Sequence, residues 1–132
     1  EDKTGMNGLE RLSLLLKIQK RYCLKHATSA MMFIDMRMYH ARHGDECALW
    51  AISGGEMIRD AVISNLEDGK RDGSIRATLD TERTSALISA TYHGLMQRMT
   101  SISRMQVPES RKDSLLAVFD DYIGMLAEYL GA

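Results

Sequence analysis

Two histidines stand three residues apart in His40-Ala41-Arg42-His43, followed at once by Asp45, Glu46 and Cys47. Helical spacing puts both imidazoles on one face, a set that suits a transition metal. The plainer reading is that an imidazole near a helix C-terminus complements the helix dipole, and no metal ligand is assigned. Metalloproteases need two His a helical turn apart with a Glu between them, and di-iron bundles need inward Glu-x-x-His pairs; neither pattern occurs. The Gly-x-Ser-x-Gly elbow, the phosphate loop and the dinucleotide fingerprint are also missing. No catalytic residue is assigned and no cofactor is expected; the chain does not read as an enzyme.

Other polar groups have structural readings. Lys17, Lys20, Arg21 and Lys25 form a stripe at helical spacing, which the C-terminal half of a surface helix favours without any phosphate partner. Cys23 and Cys47 match no metal or redox spacing, which suits a reducing, cytoplasmic setting.

The methionines stand out. Five of the ten, Met31, Met32, Met36, Met38 and Met57, fall close to Phe33, Tyr39 and Trp50. Flexible, polarizable thioethers suit a cavity or surface that accepts varied apolar shapes; they suit an irregular core equally well.

These residues must be positioned by helices. The chain has 132 residues, 45% of them hydrophobic, with 17 basic and 18 acidic side chains, which fits one soluble domain. The near-neutral balance argues against a surface built throughout for a polyanion. No apolar run reaches the ~20 residues that span a bilayer, so no membrane segment is expected. Residues 1–8, polar and twice punctuated by glycine, read as a linker or tail, and residues 9–132 as the domain.

One proline and little β-branched alternation leave strands unsupported. The 3.6-residue period predicts five helices: from about Leu9 to Lys25, Ser29 to His43, Glu46 to the glycine-marked run Glu67–Gly73, Thr81 to Arg104, and Pro108 to Leu130. The second helix is apolar on most sides, which predicts a central place. Asp45 and Asp80 read as N-caps, Pro108 as a first helical residue, and Ser110 with Asp113 as a capping box. Gly54-Gly55 suggests a bend in the third helix.

The segment Asn65-Leu-Glu-Asp-Gly69-Lys-Arg-Asp-Gly73-Ser-Ile-Arg76, then Leu79-Asp80-Thr-Glu, then Ala86-Leu-Ile-Ser-Ala90-Thr-Tyr-His-Gly94-Leu95, resembles the C-terminal half of TetR-family transcriptional regulators. Members of that family end a long helix in a G-x-x-x-G-x-[IL]-R turn, cap the next helix with Asp and place Gly-Leu midway along it. The resemblance spans about Leu9 to Leu130. It implies an all-α ligand-binding and dimerisation domain of five or slightly more helices, belonging to a repressor. It leaves DNA contact to an N-terminal helix-turn-helix domain for which the residues before Leu9 are too few.

The resemblance also implies sites. The last two long helices, from Thr81 and from Pro108, carry the broadest apolar stripes and are expected to pair with a second copy through Gly94, Leu95, Leu115, Phe119, Tyr122, Ile123 and Leu126. Gly94 has an alternative role, receiving a bulky side chain within its own subunit. The implied effector pocket, for a small and largely apolar molecule, is assigned to Phe33, Met36, Tyr39 and His40, with Trp50, Met57, Tyr92 and Met96. A helical interaction module, docking a partner on its Met-rich face with no small molecule, is the competing reading.

Overall fold

The computed structural model describes residues 5–43, 47–104, 106 and 108–132, with the side chains of 37, 40, 41, 47–57, 103, 104 and 115 left out of the account. Five helices pack together: α1 (Gly8–Lys25), α2 (Ala27–His43), α3 (Cys47–Asp72), α4 (Thr81–Arg104) and α5 (Glu109–Leu130). Among the described residues there is no strand, only an isolated antiparallel bridge between Ile75 and Gly131.

The helices begin and end for local reasons. Asn7 caps α1 in a full capping box: its Oδ1 accepts from the Glu10 amide at 2.8 Å, and the Glu10 carboxylate accepts from the Asn7 amide at 3.1 Å. Asn7 and Gly8, read from sequence as tail, therefore belong to the start of the domain. Asp80 caps α4 through the Arg83 amide at 3.0 Å, as its position predicts. Pro108 sits one place earlier than expected, at the N-cap of α5, with no side-chain cap bond. Ser110 lies inside the helix, so the Ser110–Asp113 capping box does not form. The expected Asp45 cap falls outside the described residues.

The third helix runs without interruption past both Gly54-Gly55 and Gly69, stopping at Asp72. Gly73 follows with φ +85°, a left-handed conformation that glycine adopts without strain. Gly69 marks a close approach instead of a helix stop. A Cβ on Gly8 would overlap the Gly69 backbone, and a Cβ on Gly69 would overlap the Ile75 side chain. The start of α1 thus lies directly on the end of α3.

α1 and α4 form the centre, since each packs against all four other helices, whereas among the described residues α5 touches only α1 and α4. The buried side chains follow: Leu12, Leu16 and Cys23 from α1, Ile88, Tyr92, Met96 and Met99 from α4, and Phe119, Ile123, Leu126 and Leu130 from α5. The expected central place of α2 is not observed. The helix packs on the core through Ala30, Phe33 and Ile34, and Met32, Met38 and Tyr39 are exposed.

Two clamps lock the lower end of the bundle. Asp72, at the end of α3, accepts from the Gly8 amide at 2.7 Å and the Ser74 amide at 2.9 Å, and Ser74 Oγ accepts from the Leu9 amide at 3.2 Å. Free amides at the start of α1 are thereby satisfied by another part of the chain. The C-terminus is tied to the same loop, with the Arg76 amide donating to the Leu130 carbonyl at 2.9 Å. Among the described residues, no helix is long and apolar enough to cross a membrane.

Candidate functional site

Away from those clamps, α1, α2, α3 and α4 diverge around a cavity of about 360 Å³. That lies at the small end of ligand pockets, which run roughly 300–1,000 Å³. Helical spacing builds the lining. On α1, Gln19, Tyr22 and Cys23 stand at positions i, i+3 and i+4; on α4, Tyr92 and Met96 stand one turn apart with His93 beside them. α2 adds Ser29, Ala30 and Phe33, and α3 adds Ile58.

The burial of these residues grades from mouth to floor. Tyr22 and Ser29 are exposed, while Cys23, Ala30, Tyr92 and Met96 are buried. The floor carries a short polar chain. The Tyr92 hydroxyl donates to Gln19 Oε1 at 3.1 Å and lies 3.8 Å from Cys23 Sγ. Burial pushes the Cys23 thiol upward, partly offset by its hydrogen bond to Tyr92, and burial with the neighbouring thiol pushes the Tyr92 phenol well above its ordinary range. Both groups are therefore protonated and neutral at physiological pH. His93 Nδ1 lies 2.7 Å from the Ser89 carbonyl oxygen; a carbonyl only accepts, so this nitrogen carries a proton.

Of the expected pocket residues, the structure brings Phe33, Tyr92 and Met96 together in this cavity. Met36 and Tyr39 line a separate shallow depression on the exposed side of α2, with Asp35, Met38 and Arg42. The side chains of His40, Trp50 and Met57 fall outside those described. Sequence reasoning missed the α1 contribution of Gln19 and Cys23, and His93 on α4. The signal was present in the spacing of Gln19, Tyr22 and Cys23, which share a face with the buried Leu12 and Leu16.

A second feature runs along the outside of α4 and α5. Leu87 (51% exposed), Met125 (70%) and Tyr129 (51%) stand in solvent beside the partly exposed Val118. The two helices are stitched by Thr91 Oγ1 and Tyr122 Oη, 2.6 Å apart. Gly94 and Gly124 are exposed, with nothing among the described residues within 4 Å of where a Cβ would sit. Among the described residues, no bulky side chain of its own subunit packs on Gly94.

The expected pairing residues divide. Gly94 is exposed, and Leu95 and Tyr122 are half-buried; Phe119, Ile123 and Leu126 are buried in the chain's own core. Leu115 lies outside the described side chains. The apolar stripe of α5 divides, one part facing α1 and α4 and another facing outward. Compared with protein-family models, curated proteins and solved structures, the chain gives no significant match.

Proposed function

We propose that this chain is the effector-binding and homodimerisation domain of a cytoplasmic TetR-like transcriptional regulator, a repressor that meets DNA through a helix-turn-helix domain outside these residues. The observation that carries this reading is the apolar-walled cavity between α1, α2, α3 and α4, with one short polar chain at its floor. Small-molecule sites have this composition, mostly apolar with a few placed polar groups.

The outer face of α4 and α5 supports the pairing half of the proposal. Leu87, Met125 and Tyr129 supply exposed apolar area, and Gly94 and Gly124 leave room for close helix approach. An effector that binds one arrangement of the dimer more tightly than another shifts the population toward it, altering the spacing of the attached readers. An effector with equal affinity for both arrangements switches nothing.

Native mass spectrometry of the purified chain tests the reading in one spectrum. A dimer that takes up a small apolar molecule is expected; a monomer with no uptake overturns it. The exposed Met32, Met38 and Tyr39 of α2 favour a second reading, a module that docks a protein partner there, and a monomer that binds a partner helix through this face is its signature.

A further inference from the structure

The cavity floor has a polarity that selects among small molecules. The Tyr92 proton is committed to Gln19 Oε1, so toward a ligand the phenol offers oxygen lone pairs. The Cys23 thiol is a weak donor 3.8 Å away and does not saturate them. Among the described residues lining the cavity there is no Lys, Arg, Asp or Glu. A carboxylate or phosphate seated there gains no ionic partner at the floor and places its charge against lone pairs. At the Tyr92 oxygen a ketone or ether likewise presents an acceptor to an acceptor.

We infer that the cavity takes a neutral, compact apolar molecule bearing one hydrogen-bond donor, of the alcohol, phenol or N–H class, with that donor seated on the Tyr92 oxygen between Gln19 and Cys23 and its apolar body against Phe33, Ile58 and Met96. This rests on the cavity being an effector site, and it goes further in specifying the head group and its direction. The inserted end points to α1 and α4, the two central helices, so the donor engages both at once.

Equilibrium dialysis of the full chain at pH 7.5 against 1-naphthol, 1-methoxynaphthalene, naphthalene and 1-naphthoate tests the inference. The four share a ring system and differ in the head group. 1-Naphthol is expected to bind about tenfold more tightly than 1-methoxynaphthalene, the worth of one hydrogen bond to a buried partner, and 1-naphthoate about a hundredfold more weakly than 1-naphthol. Tyr92→Phe is expected to abolish the preference for 1-naphthol over 1-methoxynaphthalene and naphthalene. Because the wild-type order already discriminates, the test does not depend on how well that variant folds.

Binding of 1-naphthoate or 1-methoxynaphthalene as tight as that of 1-naphthol overturns the donor assignment and leaves the cavity reading standing. So does a preference for 1-naphthol that survives Tyr92→Phe. Saturable binding of none of the four overturns the effector-site reading and this inference with it.

Discussion

The Cys23 sulfur lies 3.8 Å from the Tyr92 hydroxyl, joining the last turn of α1 to the middle of α4 at the floor of the cavity. Both groups are acids whose pKa burial raises, so the unfolded chain releases these protons at lower pH than the folded one. Stability from this pair is complete below the ordinary thiol value of about 8.5 and declines as pH rises through it and through the ordinary phenol value of about 10. Urea melts are expected to show that decline. In a Cys47→Ser background, a thiol reagent is expected to modify native Cys23 about a hundredfold more slowly than the unfolded chain; an equal rate contradicts its burial.

Asp72 behaves in the opposite sense. Its hydrogen bonds from Ser74 and from the Gly8 amide hold the carboxyl below the usual carboxylate range. Its contribution is present above the ordinary value of about 3.9 and is lost as pH falls through its lower native value. Asp72→Asn is expected to flatten part of the acid limb of the stability curve while leaving the alkaline limb alone. An unchanged acid limb rules out the α1 clamp as a stabilising contact.

Gly8→Ala tests the crossing of α1 on α3. A Cβ at this position overlaps the Gly69 backbone and the Asn65 carbonyl, which no rotamer relieves, so the helices must separate. The expected cost is about 1–3 kcal/mol, the range for overpacking, whereas Gly94→Ala, with open space around it, is expected to stabilise the isolated subunit by about 1 kcal/mol through helix propensity. Equal effects of the two in thermal melts contradict the packing described.

Charge on the outer α4–α5 face separates pairing from folding. Leu87→Glu and Met125→Glu, at exposed sites, are expected to change subunit stability by no more than about 0.5 kcal/mol and to convert a dimer to monomer in sedimentation velocity. Phe119→Ala, in the core, is expected to cost about 3–5 kcal/mol. A dimer that persists in both Glu variants places the pairing surface elsewhere.

The all-helical class and the limits of α1, α4 and α5 were legible in the residues to within one or two positions. Apolar spacing and the Asp80 cap are local properties, and a helix of 18 to 26 residues satisfies its backbone within its own segment. Local order also explains the misreadings. Gly69 has the sequence signature of a helix stop, yet Gly8, 61 positions earlier in the chain, presses against it. The Met-rich α2 has the composition of a central helix, yet its Met32, Met38 and Tyr39 are exposed.

The sequence by itself determined that five amphipathic helices form and that α4 and α5 carry apolar stripes wider than one contact. Only the tertiary structure decided how each stripe divides: Phe119, Ile123 and Leu126 inward, Met125 and Tyr129 outward. It alone decided that Gln19, Cys23 and Tyr92 meet. The physical reason is that periodicity specifies a side chain's angle around its own helix, whereas burial depends on which neighbour occupies that angle. That is settled by the packing of α1 and α4 against every other helix.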